Sequence, residues 1–197
     1  MKGDSRHQCF IYKGPPSEQL PLMATRIKVK LDEGYRCLYL NSPAMVMGLQ
    51  SCLATRGFDV ASEGSKSKLI LSSEQMVAAD GGFDIELMLS KLSSAVDDAL
   101  SAGYKGLFAT GDMTWEFASE KNFAKLMEYE FRLEELFSKC EALHGICQYH
   151  QDTLPGEATW QALLTHRMVV VDERLSRVNP HFQSQEHLRK SEDIFPI

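Results

Sequence analysis

Asp112, Met113 and Trp115 form the first group of residues that could bind a small molecule. They lie in GLFATGDMTWE, residues 106–116, which begins as an apolar strand and then breaks into polar and aromatic residues. Gly111 would let the chain turn sharply off a sheet at that point. We therefore expect Asp112 and Trp115 to stand over a crevice, where a polar group and an apolar wall together bind a small organic ligand.

A second acid falls on the apolar side of a long helical segment, residues 115–140. At about 100° per residue, Glu130 lies inside the stripe of apolar residues that this segment would bury. A buried acid must be paired or have its pKa raised. Two interpretations remain open. Glu130 is either a structural acid, bonded to a backbone amide or an arginine, or a pocket acid that contacts a ligand.

Histidines and cysteines raise the question of metal binding and nucleophilic catalysis. The runs His7-Gln-Cys9 and Cys147-Gln-Tyr-His150 could converge, but neither is a C-x-x-C pair. In a strand, Cys147 would also point away from His150. We therefore expect no metal ion and no other cofactor. A catalytic thiolate at Cys147 would need a basic neighbour, for which His166 is the candidate. A small buried apolar residue is the favoured interpretation of Cys147.

Strand-length apolar runs alternate with segments of helical spacing along the chain. The predicted strands are residues 35–41, 68–73, 105–111, 144–150 and 167–173, and the predicted helices are 17–31, 43–56, 84–102, 115–140 and 156–165. This alternation predicts a doubly wound α/β domain, a mainly parallel sheet with helices on both faces in three layers. Ligands bind such sheets beyond the carboxyl ends of the strands.

A nucleotide site on this architecture would place a glycine-rich loop after the first strand. The junction after residues 35–41 reads YLNSPAMVMGLQ, without G-x-x-x-x-G-K-[ST] or G-x-G-x-x-G. Pro43 also removes a backbone donor there. We predict no ATP hydrolysis and no tight binding of ATP.

Composition narrows the class of protein further. The chain has 197 residues, a net charge of -6 and five cysteines. That charge argues against direct binding to nucleic acid or an anionic membrane, and there is no apolar run of membrane-spanning length. An odd number of cysteines without a secretory signal favours reduced thiols and a cytoplasmic protein. We expect one domain over residues 1–182 and a polar tail over 183–197.

A series of motifs along the chain resembles one known family. HQCFIY (7–12), LDEGYRCLYL (31–40), GGFD (81–84), AGYKGLFATGDMTW (102–115), EYE (128–130), ICQYH (146–150) and LLTHRMVVVD (163–172) follow in order. In this the chain resembles the MEDS domain, the methanogen/methylotroph sensory domain, a degenerate relative of RecA/KaiC ATPases. The resemblance covers about residues 7–182.

The resemblance implies a RecA-like fold that has lost ATPase chemistry and serves a sensory role. Members are usually attached to histidine kinases or transcription regulators and are thought to sense small hydrocarbon-derived compounds. The family pattern more often has glutamate at Asp112, aspartate at His150 and proline at Arg167. By motif, the implied ligand-binding residues are His7, Tyr12, Asp112, Met113, Trp115, Glu130, Cys147, Tyr149 and His166.

The sequence therefore leaves three functions open for this protein. A non-catalytic sensory module would bind a small organic ligand and pass the signal to a separate kinase or transcription regulator, or to a second copy in a homodimer. An interaction scaffold would use no ligand, and its acids and aromatics would be core residues. A cysteine-dependent enzyme would require an accessible Cys147 with a lowered pKa. The sensory module is the function we predict.

Overall fold

The computed structural model of the protein describes residues 6–60, 68–74, 83–116 and 123–184. Three parts of the sequence predictions lie outside these ranges: the glycines of the GGFD motif, the segment 117–122 of the long predicted helix, and most of the polar tail, from 185 onwards. The backbone of Trp115 is described, but its side chain is not.

Seven strands form one sheet in the order β3-β2-β4-β5-β1-β6-β7. All neighbouring strands are parallel except the last pair, β6 and β7. The predicted α/β fold with a mainly parallel sheet is confirmed. The strands are β1 (His7–Tyr12), β2 (Arg36–Leu40), β3 (Leu69–Ser72), β4 (Leu107–Asp112), β5 (Leu143–His150), β6 (Met168–Val170) and β7 (Ser176–Val178).

Helices cover both faces of this sheet. They are α1 (Leu20–Asp32), α2 (Pro43–Thr55), α3 (Ile85–Ser101), α4 (Met113–Glu116), α5 (Phe123–Lys139) and α6 (Gly156–Thr165), and a 3₁₀ turn (Pro16–Gln19) precedes α1. One apolar core lies between the sheet and α1 and α2. The other lies between the sheet and α3, α5 and α6. We call these two sides of the sheet the α1 face and the α5 face.

The expectation that residues 35–41 form the first strand is wrong. β1 precedes them in the chain and lies inside the sheet, between β5 and β6. Polar residues at the start of β1, His7 and Gln8, interrupt the apolar run that marks a buried strand. The loop after the first strand is therefore 13–19, which reads KGPPSEQ and also lacks the phosphate-loop motif.

The carboxyl end of the described chain is more ordered than its polar composition predicts. β7 pairs antiparallel with β6. Beyond β7, Asn179 is buried and its side-chain amide donates to the carbonyl groups of Leu163 and His166. The chain after β7 is thus held against the end of α6.

Close approach of α5 to the sheet depends on a glycine in β5. A Cβ atom added at Gly145 would lie 2.7 Å from the carbonyl oxygen of Ala109 and 2.8 Å from Cζ of Phe137. Any side chain at this position would push the Phe137 ring away from the strand. Within the described ranges, no helix is long and apolar enough to cross a membrane.

Candidate functional site

Four buried side chains from four different elements converge on the α5 face. They are His7 at the start of β1, Glu130 on α5, Cys147 on β5 and His166 directly after α6. One nitrogen, oxygen or sulfur atom of each lies within 4.8 Å of those of all the others. We call this group the His–Glu–Cys cluster.

The ring of His7 is fixed from two sides. It stacks on Phe137, with 4.4 Å between ring centroids. Its Nδ1 atom lies 2.8 Å from a carboxylate oxygen of Glu134, and the other oxygen of Glu134 is 3.7 Å from Nε of Arg167. Because an ionised Glu134 can only accept, Nδ1 of His7 is the donor. In the neutral ring, Nε2 of His7 therefore presents a lone pair to the cluster.

A backbone carbonyl group fixes the ring of His166, so that its Nε2 atom, like that of His7, faces the cluster. Its Nδ1 atom lies 2.8 Å from the carbonyl oxygen of Ala162, which can only accept, so Nδ1 carries the proton. Burial lowers the pKa of His166 well below its ordinary value, and the ring is therefore neutral. Its Nε2 atom lies 3.3 Å from Oε2 of Glu130, and within the described part of the chain neither atom has a hydrogen-bond partner of normal geometry.

Glu130 is buried, as its place in the apolar stripe predicts. Its Oε1 atom accepts a short hydrogen bond from the hydroxyl group of Tyr149 on β5. Burial raises the pKa of Glu130 from 4.5 to about 8, an effect that the Tyr149 hydrogen bond opposes. The structural interpretation named a backbone amide or an arginine as the partner; the groups found here are a tyrosine hydroxyl and two histidines.

Cys147 lies next to His7 and not next to His166, the basic neighbour that the sequence suggested. Its Sγ atom lies 3.5 Å from Nε2 of His7. Burial, together with the nearby Glu130, raises the pKa of this thiol well above its ordinary value. A nucleophilic thiolate requires the opposite shift and access for a substrate. The geometry does not support the cysteine-dependent enzyme.

An apolar cavity of about 30 Å³ adjoins the cluster. It lies between the sheet and helices α3 and α5, and Cys147 and Phe137 belong both to its wall and to the surroundings of His7. Other wall residues include Ala109, Met113, Tyr129 and Leu133. A wider groove of about 320 Å³ runs between α3 and the β2–β3 edge and shares Leu40, Met88 and Leu92 with the cavity.

Asp112 and Tyr12 lie on the α1 face, away from the cluster. The hydroxyl group of Tyr12 donates to Oδ2 of Asp112 at 2.8 Å, and the amide of Thr114 donates to Oδ1 at 2.9 Å. Asn41, at the end of β2, lies 3.5 Å from the same Oδ2 atom. Strand alternation places Asp112 on the same face as Thr110, which contacts Met23 of α1, whereas Met113, the first residue of α4, packs in the core of the α5 face.

Hydrogen bonds also hold the loop that follows β1. The ring of His150 stacks on Tyr12, and its Nε2 atom lies 2.8 Å from the carbonyl oxygen of Gly14. The amide of Gly14 donates to Asp152, and the two prolines that follow have no amide hydrogen. A phosphate cradle needs several free amides, so this loop offers little to a triphosphate.

The structure thus divides the predicted ligand-binding residues between two regions. The α5 face holds His7, Met113, Glu130, Cys147, Tyr149 and His166, whereas the α1 face holds Tyr12 and Asp112. The structure therefore does not bring Asp112 and Glu130 together. Sequence reasoning missed Glu134, although it follows Glu130 by one helical turn and so shares its face.

Comparison with known proteins places the chain among sensory domains. The family described as "MEDS: MEthanogen/methylotroph, DcmR Sensory domain" matches residues 6–167. Among solved structures, the chain is similar to the KaiC-like protein PH0186 from the hyperthermophilic archaeon Pyrococcus horikoshii OT3. The TM-score is 0.59 at 13% identity over 84% of this chain and 70% of that one, a similarity of fold. No curated protein sequence matched.

Proposed function

This chain belongs to the MEDS family of sensory domains, and from that premise we propose that it binds a small organic ligand in the cavity on the α5 face. The observation that carries the proposal is the position of that cavity. It is walled almost entirely by apolar side chains, and buried polar groups of the His–Glu–Cys cluster begin at Cys147 on its edge. Ligand sites commonly combine an apolar wall with a few convergent polar groups.

The size of the cavity restricts the ligand. One water molecule needs about 10–15 Å³ of such space, so a cavity of about 30 Å³ accepts a molecule or group of about two or three non-hydrogen atoms. A compound of one or two carbon atoms fits without any movement of the wall. Small hydrocarbon-derived compounds are of this size, which agrees with the ligand class that the sequence resemblance implies.

Helices α3 and α5 form the part of the cavity wall that would move when a ligand binds. Met88 and Leu92 of α3 and Leu133 and Phe137 of α5 line the cavity opposite the strands. A ligand that fits better when these helices take one of two positions would shift the protein toward that position. We propose that a separate kinase or transcription regulator reads the outer surface of these helices, without catalysis by this chain.

Melting temperatures of the full chain test this proposal. The probes are methanol, ethanol and dimethyl sulfide, each titrated separately. We expect at least one to raise the melting temperature in a saturable manner. Ala109→Val adds two methyl groups inside the cavity and should abolish that rise.

Ala95→Val is the matched control, because Ala95 lines the wider groove and not the cavity. It should leave the rise unchanged. If the effect survives in Ala109→Val, or is lost in Ala95→Val, the ligand does not bind in the cavity. If no probe of this size has any effect on the wild-type protein, the proposed ligand class is wrong.

A further inference from the structure

The His–Glu–Cys cluster directs four atoms with lone pairs toward one point. Nε2 of His166 and Oε2 of Glu130 are buried, face each other at 3.3 Å and have no hydrogen-bond partner of normal geometry among the described residues. The carbonyl oxygen of Ala162 fixes the proton of His166 on Nδ1. Because Nε2 of His166 offers only a lone pair, this contact is favourable only when the proton of Glu130 or a metal ion lies between the two atoms.

His7 adds a third donor atom to the same point. Its Nε2 atom lies 3.7 Å from Oε2 of Glu130 and 3.5 Å from Sγ of Cys147. The proton on its ring belongs to Nδ1, which is bonded to Glu134. Nε2, which lies beside Cys147, is the ring nitrogen directed at the cluster and would be the one that binds an ion. Cys147 supplies a sulfur atom as the fourth donor.

Three of the six distances between donor atoms of the cluster are close to those in a tetrahedral metal site. Zinc lies about 2.0–2.1 Å from nitrogen and oxygen ligands and 2.3 Å from sulfur, which separates the ligand atoms of a tetrahedron by about 3.3–3.6 Å. Oε2 of Glu130 lies 3.3 Å from Nε2 of His166 and 3.7 Å from Nε2 of His7. The His7 nitrogen lies 3.5 Å from Sγ of Cys147. All four donor atoms lie within 4.8 Å of one another.

The groups around the cluster also resemble the surroundings of known metal ligands. Metal-binding histidines usually donate their second ring proton to a carboxylate or a backbone carbonyl. His7 donates to the carboxylate of Glu134, and His166 donates to the carbonyl of Ala162. Tyr149 holds the other oxygen of Glu130, which leaves Oε2 directed at the histidines.

We propose that His7, Glu130, Cys147 and His166 form a binding site for one divalent transition-metal ion of the zinc class. Two imidazoles, one thiolate and one carboxylate suit Zn²⁺ or Co²⁺ and do not suit Mg²⁺ or Ca²⁺, which select oxygen ligands. The protons of the Cys147 thiol and the Glu130 carboxyl group leave to solvent when the ion binds. The site joins β1, β5, α5 and the end of α6, so the ion would stabilise the fold.

This inference replaces the sequence-based expectation of no metal. That expectation was based on His7, Cys9, Cys147 and His150 as possible ligands. It did not include Glu130 or His166. His150 points to the α1 face, where it stacks on Tyr12. The metal site does not depend on the proposed organic ligand, because each can be measured without the other.

Metal content and cobalt spectra test the site. The full chain is produced in zinc-supplemented medium and analysed by elemental mass spectrometry. A second sample is refolded from denaturant with Co²⁺, because all four ligands are buried. We expect about one ion per chain, visible bands of tetrahedral cobalt and a near-ultraviolet thiolate-to-cobalt band.

Variants of single ligands identify the site. Cys147→Ser should remove the thiolate band, and Glu130→Gln and His166→Gln should each weaken Co²⁺ binding by at least about 100-fold. Glu134→Gln, which replaces the carboxylate bonded to His7 and leaves all four ligands in place, should weaken Co²⁺ binding by about 10–100-fold. Cys37→Ser is the matched control, because Cys37 is an equally buried free cysteine on the α1 face, and it should change neither the spectrum nor the affinity.

Two results would overturn the proposal. One is a wild-type protein that remains metal-free after both preparations. The other is a thiolate band that persists in Cys147→Ser or disappears in Cys37→Ser. Circular dichroism of each variant, recorded without metal, shows whether it folds. Should a ligand variant fail to fold, Glu134→Gln still decides, since unchanged affinity in that variant also contradicts the site.

Discussion

At the scale of single residues, the central feature is a carboxylic acid that is buried among histidines. Glu130 keeps its proton near neutral pH because burial raises its pKa to about 8. The sequence indicated that Glu130 is buried, because helical spacing alone places it in the apolar stripe. Its partners could not be predicted, because Tyr149 and His166 come from elements whose relative positions only the folded sheet fixes.

The hydroxyl group of Tyr149 should contribute measurably to stability. Tyr149→Phe leaves a buried oxygen of Glu130 without its donor, which should lower the free energy of unfolding by about 1–3 kcal/mol. Urea denaturation in buffer with a chelator measures this change without any contribution from bound metal.

Tyr35→Phe serves as the comparison for that substitution. The hydroxyl group of Tyr35 lies 3.0 Å from Nε2 of His144 in a partly buried position, so its loss should cost less than about 1 kcal/mol. Equal losses in the two variants would show that the Tyr149–Glu130 hydrogen bond has no special weight.

At the scale of elements, the sheet brings distant parts of the sequence into one site. β1 lies beside β5 with Cys9 opposite Cys147, which places His7 within reach of the Cys147 sulfur. All five predicted strands are present in the sheet, four of them at nearly their predicted bounds, whereas the fifth, β6, ends at Val170 and not at 173. The sequence could not indicate β1 by hydropathy, because its first two residues are polar and their burial depends on partners outside the strand.

The contact between β5 and α5 gives a prediction for an element. Gly145→Ala places a Cβ atom against the Ala109 carbonyl and the Phe137 ring, so α5 must shift. We expect the free energy of unfolding to fall by about 1–3 kcal/mol, and the stacking of Phe137 on His7 to be disturbed.

Gly156→Ala is the control for this prediction. A Cβ atom at Gly156, the first residue of α6, meets no atom within 4 Å. This substitution should leave stability unchanged or raise it by about 0.4–1 kcal/mol, because alanine restricts the unfolded chain. If both glycine variants are equally stable, the sheet tolerates more movement of α5 than the structure indicates.

At the scale of the whole molecule, the proposed ligand site lies in a different place from the one that the fold class predicts. Parallel sheets usually bind ligands beyond the carboxyl ends of their strands. Here Asp112, Tyr12 and His150 occupy that edge with hydrogen bonds among themselves and to the neighbouring loop. The cavity instead lies over the α5 face of the sheet. Composition and strand spacing predict the sheet, but they do not determine which face retains an unfilled space.

Xenon binding tests the central claim most directly, since xenon enters apolar cavities without any need to identify the natural ligand. A crystal of the full chain under xenon pressure should show one strong site between the sheet and helices α3 and α5, in contact with Ala109, Leu133 and Cys147. The site should disappear in Ala109→Val. Xenon that binds only in the groove between α3 and β3, or nowhere in the wild-type protein, would contradict the assignment of this cavity as the ligand site.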